Sequence, residues 1–251
     1  MIIDNTLDEL ITKELSDKNK KESFDRIISD KLTASILGDP LQWQILKVIG
    51  IRGKEIDSYL LRKFERGNDV EAKIYKYLDK LGKKEDQIYV TYKNVVGKVD
   101  AIVEMKNWKS KLGEIPHEIK SISNAKFNRL RRQNNADAGH ILQACLYALA
   151  LDSEQFAIDY ISTDDYRILT YIYETDLYQD RVENTIIEFN NQIKLGKIPK
   201  FEHKQLWQKQ KGYCKYPEWM KLNENEIDEL LETKYKDNFK KLLKLQEEYK
   251  K

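Results

Sequence analysis

Asp100, in the stretch VGKVDAIVEM, interrupts an apolar alternation, and Glu118 and Lys120, in IPHEIKSIS, stand two residues apart. A carboxylate set into an apolar strand pattern is costly to bury unless it binds a cation or finds donors. Residues i and i+2 of a strand project from one face, so Glu118 and Lys120 look one way and Ile119 the other. On neighbouring strands about 4.8 Å apart, Asp100 and Glu118 would share one divalent ion with ligands at roughly 2.1 Å. The Ile119 carbonyl would complete the cage. Such an ion polarises a phosphoryl oxygen and lowers the pKa of water, and Lys120 adds a cation near the developing charge. The chemistry open to this set is phosphodiester hydrolysis.

Other residues could join it. In GNDVEAKIYKYL, Glu71, Ile74 and Leu78 share one helix face. From position alone, Glu71 fits a metal ligand and an exposed first-turn glutamate equally well. In HILQACLYALAL, Gln143 and Tyr147 lie one helical turn apart in an otherwise apolar helix. An amide beside a phenol can hold a phosphate, water or a base edge, but taken alone the pair reads as a satisfied core amide and a buried tyrosine. Lys126, Arg129, Arg131 and Arg132 crowd NAKFNRLRRQNN. Such a run is usually a solvated helix face, and beside a phosphoryl-transfer site it becomes a strand-binding rim. His117, His140 and His203 match no zinc spacing. No Walker-type glycine loop and no nucleophile elbow occurs, which argues against ATP hydrolysis and serine-hydrolase chemistry.

The elements that must carry these residues follow from periodicity. Helical spacing predicts a helix over 6–35, a second through Leu41 to Ile49 and a third over about Tyr59 to Leu81, closed by Gly82. From Gln87 the period becomes two, giving a three-strand meander through Ile88 to Tyr92, Val96 to Met105 and Ile115 to Ile122. Helices over 124–133 and 137–151 follow, then strands over 155–162 and 167–174 joined at Thr163, Asp164 and Asp165. This order predicts an α/β fold, a mixed sheet flanked by helices, with the active residues on central strands. Residues 1–221 are expected to form the main domain with a helical N-terminal part. Residues 222–251 are expected to be one charged amphipathic helix, with an apolar stripe of Ile227, Leu230, Leu231, Leu242 and Leu243 that packs back on the domain.

Composition bounds the rest. With 251 residues, 41% hydrophobic and 34% charged, and only 10 Gly and 4 Pro, the chain can bury a sizeable core and is not of disordered type. Its formal net charge of +2 announces no nucleic-acid partner, so any basic surface is local. No apolar run is long enough to span a bilayer, and the acidic, amphipathic MIIDNTLDELITKEL is unlike a signal peptide, so an intracellular, cytoplasmic protein is expected. Its 2 cysteines, Cys145 and Cys214, are too few for a disulfide scaffold or a four-thiolate site.

Taken in order, Gly97-Lys98-Val99-Asp100, Glu118-Ile119-Lys120 and Gln143-Ala144-Cys145-Leu146-Tyr147 resemble the PD-(D/E)xK nucleases, specifically the RecB-type branch. The ordered triplet is far more specific than any part. It covers about residues 60 to 175, and more loosely 33 to 220. The resemblance implies a restriction-endonuclease-like fold, with Asp100, Glu118 and the Ile119 carbonyl holding Mg²⁺ or Mn²⁺ and Lys120 orienting the water. It also implies that Glu71 joins the metal site and that Gln143 and Tyr147 position DNA, with Lys126, Arg129 and Arg131 on the rim. The activity it implies is a DNA nuclease, an exonuclease on single strands or ends, in repair, recombination or viral genome processing. A site- or structure-specific endonuclease and a non-catalytic DNA-binding module are the competing readings. Many relatives hold an iron-sulfur cluster with one upstream and three C-terminal cysteines. Here SILGDPLQWQIL has no cysteine and WQKQKGYCKYPEW keeps only Cys214, so no cluster is expected. The departure places the chain nearer to stand-alone viral and mitochondrial single-strand exonucleases. A helicase or recombination partner is left open, as is a homo-oligomer.

Overall fold

Alternating apolar residues build the centre of the molecule. In a computed structural model, which describes residues 10–18, 31–81, 83–104, 114–201 and 215–251, a short strand β1 (Leu32–Thr33) precedes β2 (Lys83–Tyr92), β3 (Val95–Glu104) and β4 (Glu114–Ile122). Strands β5 (Gln155–Ser162) and β6 (Ile168–Glu174) complete one six-stranded mixed sheet in the order β1-β3-β4-β5-β6, with β2 paired to β3. The β2-β3-β4 meander is antiparallel as expected, β4 and β5 run parallel, and β5 and β6 form a hairpin.

The pairing of β3 decides where the sheet opens. β2 takes one whole edge of it, from Tyr92 opposite Val95 to Lys83 opposite Val103. The other edge is divided: β1 pairs with Val95 and Val96, and β4 pairs with Ala101 to Glu104. Among the described residues, no strand pairs with that edge between them, over Gly97, Lys98, Val99 and Asp100. On its side, β4 leaves β3 after His117 and continues to Ile122, where among the described strands it pairs with β5 alone. Between β3 and β4 there is thus a fork.

Helices cover the sheet. α1 includes 10–18, α2 is Leu41–Val48, α3 is Ser58–Leu81, α4 is Asn124–Gln133, α5 is Ala138–Ala150 and α6 is Asp176–Leu195. α3 buries Val70 and Ile74 against Ala101, Val103, Ile119 and Ile161. The buried face of α5 joins the larger core with Val95, Val99, Phe156, Ile158 and Tyr160. Two residues on, a regular strand looks the same way again. Val99 in one cluster and Ala101 in the other therefore mean that β3 turns over at Asp100. The rung opposite Asp100 is irregular too, since Gln87 has φ 55°.

Two expectations fail here. The helix foreseen over 6–35 does not include Leu32 to Ile36, where β1 and a 3-10 turn (Ala34–Ile36) replace it. Leu32 is fully buried opposite Val95, so pairing with a distant strand outweighs the local helical spacing. Leu7, Phe24, Ile27 and Ile28, on which the same reading relied, lie outside the described residues, as do Gly82, Met105, His203 and Cys214.

The C-terminal helix is two helices, α7 (Glu224–Thr233) and α8 (Lys236–Lys250). An Asn223–Glu226 capping box starts α7. The break falls where Tyr235 turns its ring onto the buried Trp219, 5.4 Å between centroids. Ile227, Leu231, Leu242 and Leu245 join the same core cluster as α5, whereas Leu243 is 40% exposed. The stripe therefore packs back on the sheet layers, with Leu245 in the place foreseen for Leu243.

Candidate active site

The fork leaves backbone groups without ladder partners, and buried backbone polar groups must find others. Asp100 provides one: its Oδ2 accepts the Ile119 N–H at 2.8 Å. A strand residue's N–H and C=O leave the same edge, so the Ile119 carbonyl also faces the fork. Tyr147 provides the second. Its oxygen faces the Lys98 backbone amide and accepts from Gln143 Nε2 at 2.8 Å. The phenol fills the stretch where β3 has no neighbour, and Gly97 makes room for it. A Cβ at Gly97 would stand 2.5 Å from Tyr147 Cε1 and 3.1 Å from the Ala34 Cβ.

Glu118 and Lys120 lie just past the branch point, on the face of β4 that looks towards α5. Their β5 partners across the ladder are Ile158 and Tyr160. Glu118 is 1% exposed and its Oε2 meets no hydrogen-bond donor, while the Lys120 ammonium is ion-paired to Oε1. Glu71 reaches the group from α3, where its Oε1 accepts from the Ser121 hydroxyl at 3.3 Å. α3 can come this close because Gly67, one turn earlier, has no side chain; a Cβ there would lie 2.7 Å from Ser121 Oγ. Arg66, bonded to Thr163 and Asp164, and Lys73, bonded to Tyr166, fasten the same helix to the β5–β6 turn.

The electrostatics record this crowding. Burial, opposed by Lys120 and reinforced by Asp100 and Glu71, pushes the Glu118 carboxyl up to about 8. Burial also raises Asp100, against the Ile119 amide and the charges of Lys120 and Lys98. Glu71 is raised by burial and by Asp100. Burial alone would lower Lys120, but Glu118, Asp100 and Glu71 outweigh it and keep the ammonium charged. Among the described residues, three carboxylates thus share the Lys120 ammonium, with Lys98 acting on Asp100 as well, and negative charge outweighs positive in a partly dehydrated place.

Among the described residues, no three Asp, Glu, His or Cys side chains are arranged to hold a metal by themselves. A cage here would need the Ile119 carbonyl and water beside Asp100 and Glu118. That is the ordinary case for Mg²⁺, which keeps several waters and takes one or two carboxylates.

The remaining candidates divide. Gln143 and Tyr147 come together, but they are 7% and 2% exposed. Where the resemblance implies a DNA-facing pair, the geometry gives a buried one that props the fork. Burial drives the Tyr147 phenol far above its ordinary range, so it stays protonated.

On α4, capped by Ser123, Lys126 and Arg129 turn to Asp137 at 2.5 and 3.5 Å, while Arg131 and Arg132 are exposed. His140 is a further neighbour. Its Nδ1 lies 2.8 Å from the Tyr160 hydroxyl, and burial with the charges of Lys120 and Lys126 brings its pKa down to about 3, so the imidazole is neutral. Cys145 is buried core, its thiol raised to about 12 by burial. Sequence reasoning missed Ser121 and the reason for Gly67 and Gly97. A glycine inside a helix or strand signals a close approach, but not by what.

The fold is a mixed α/β architecture of restriction-endonuclease-like type, a six-stranded mixed sheet flanked by helices. No protein-family model matches the sequence, and no curated protein matches it. Among solved structures, the alkaline exonuclease LHK-Exo from Laribacter hongkongensis is similar with a TM-score of 0.50 at 16% identity, covering 67% of this chain and 90% of that one. The structure of LHK-Exo in complex with dAMP scores 0.48 at 16% identity, covering 64% and 86%. That of SSO0001 scores 0.42 at 16% identity, covering 75% and 92%. At this identity the likeness is one of fold. Among the described residues, no helix is long and apolar enough to cross a membrane.

Proposed function

We propose that this chain is a Mg²⁺- or Mn²⁺-dependent deoxyribonuclease of the PD-(D/E)xK superfamily, RecB-type branch, acting as an exonuclease on single-stranded DNA or DNA ends. The observation that carries the reading is the gathering of Asp100, Glu118, Lys120 and Glu71 at the β3–β4 fork, with three raised carboxylates around one ammonium. A divalent ion fits this deficit: the donors are hard oxygens, and Glu118 Oε2 is buried without a donor. Asp100, Glu118 and the Ile119 carbonyl would hold it, with Glu71 at the margin. Bound there, it supplies Lewis-acid polarisation of the phosphoryl oxygen and lowers the pKa of water.

The chain's own residues do the rest. Lys120, held charged by three acids, would orient the attacking water and offset charge on the phosphate. Asp100 keeps the branch point open by taking the Ile119 amide. Tyr147 and Gln143 hold the opposite wall, and Arg131 and Arg132 offer the open part of a phosphate-binding rim.

End-labelled oligonucleotides test the reading. The purified protein should shorten single-stranded DNA in Mg²⁺ or Mn²⁺, and Asp100→Asn and Glu118→Gln should abolish this without unfolding the chain. Labels at 5′ and 3′ ends assign polarity, and circular single strands separate an exonuclease from an endonuclease. No metal-dependent cleavage of any DNA, or cleavage indifferent to both substitutions, would sink it.

A further inference from the structure

We propose that Tyr89 and Lys98 form a stacking platform for a base of single-stranded DNA, one nucleotide's reach from the carboxylates of the fork. The proposal rests on reading the chain as a DNA-acting protein and adds what makes it prefer unpaired strands.

Tyr89 is the most exposed large hydrophobic residue of the described chain, at 80%. Its strand neighbours Ile88, Val90 and Tyr92 pack against the core, so strand alternation sends Tyr89 to the other face of the hairpin. There Thr91, Lys93 and Lys98 are exposed as well. Tyr89 and Lys98 are direct cross-strand partners, and the Lys98 ammonium lies 5.6 Å from the Tyr89 ring centroid. At 80% exposure, most of the Tyr89 ring is open to a further planar group.

Position makes the pair useful. Lys98 precedes Asp100 by two residues, at the point where β3 turns over, and its charge acts on the Asp100 carboxylate. Among the described residues, no strand pairs with the second edge of β3 at Lys98, whose backbone amide faces the Tyr147 hydroxyl. Single strands are held by a cation on the backbone and an aromatic face under a base, and the stacking works only where a base is free of its pair. A duplex offers no such face. Lys98 would meet the phosphate next to the scissile one while Tyr89 carries the flanking base.

Binding measured in EDTA tests this separately from cleavage, with fluorescein-labelled oligo-dT and a duplex of equal length as probes on the full chain. Tyr89→Ala should weaken the oligo-dT complex at least about five-fold and leave duplex binding within about two-fold. Tyr89→Phe should bind as wild type does, because it keeps the ring. Lys98→Ala should lower the salt slope by about one.

Because Tyr89 is exposed, thermal melting of Tyr89→Ala should match wild type. Oligo-dT binding by Tyr89→Ala at wild-type strength, or equal losses on both probes, would overturn the platform. If wild type cleaves DNA while Tyr89→Ala changes nothing, the platform alone fails. Selective loss on oligo-dT by a protein that never cleaves DNA supports the platform while the nuclease reading falls.

Discussion

His117 and Glu118 are consecutive residues of β4, 3% and 1% exposed, and they face opposite layers of the same sheet. On the α3 side, His117 Nδ1 meets Asp159 Oδ2 at 2.6 Å, and Thr170 donates to Asp159 Oδ1 at 2.5 Å. Both oxygens of that buried carboxylate are satisfied. On the other side, Glu118 has one ammonium at Oε1 and no donor at Oε2, and its carboxyl interacts with that of Asp100. A saturated buried polar group serves the fold, because its donors already offset its desolvation. An unsaturated one keeps its desolvation cost and is a candidate for completion by a cation or substrate. Among the described residues, equal burial thus hides different surroundings: the Asp159 carboxylate has both oxygens paired while Glu118 Oε2 has no donor, although His117 also keeps one buried nitrogen, Nε2, without a partner.

The largest expected effect separates the two clusters by rate. Asp100→Asn keeps an oxygen for the Ile119 amide but loses the charge, and DNA cleavage should fall at least about 10²-fold. Asp159→Asn should leave the cleavage rate within a few-fold and lower the melting temperature instead, by the loss of a buried hydrogen bond worth about 1–3 kcal/mol. Steady-state cleavage and thermal melting on both variants check this. If Asp159→Asn silences cleavage as Asp100→Asn does, the two clusters are one site.

A smaller effect probes the wall of the fork. Gly97→Ala sets a Cβ against both Tyr147 and Ala34. Overpacking of this kind costs about 1–3 kcal/mol. Denaturant melts should reveal it, and the displaced Tyr147 should slow cleavage beyond what the lost stability explains. Wild-type rate in a folded Gly97→Ala protein would remove Tyr147 from the positioning scheme.

The mildest is a pH dependence. Glu118 is raised in the folded protein to about 8, above its ordinary 4.5. The folded state therefore prefers the protonated acid. Below 4.5 both states are protonated and nothing changes. As pH rises from there to about 8, the unfolded chain releases its proton first and stability falls, levelling above 8. The raised Asp100 and Glu71 act in the same direction. In EDTA the melting temperature should drop between pH 5.5 and 8, by on the order of 1 kcal/mol per pH unit, each worth roughly 2–4 °C. Mg²⁺ or Mn²⁺ should restore more at pH 8 than at 5.5. No such drop would mean that Glu118 is as satisfied as Asp159.

Much of the architecture was legible in one dimension, because strand and helix periods are local. The meander, the hairpin, and α2 to α5 follow from apolar spacing alone. Leu32 escaped that logic because its partner, Val95, is more than sixty residues away, and the break at Tyr235 because Trp219, on which its ring packs, is brought in by folding.

The site divides in the same way. Asp100, Glu118 and Lys120 stand out by charge within apolar alternation, which needs no tertiary knowledge. Glu71 was even between two readings from its position and was set in the metal site only by the resemblance, since only the approach of α3 over Gly67 brings it beside Asp100 and Ser121. Gln143 and Tyr147 were legible as a pair, but not as buried supports of a strand with a missing neighbour.

The residue types and their order, then, determined which chemistry the chain can carry. Only the tertiary structure decided that β3 and β4 part at Asp100. Strand pairing is a contest for backbone hydrogen bonds among segments far apart in sequence, and its outcome is written in no single one of them.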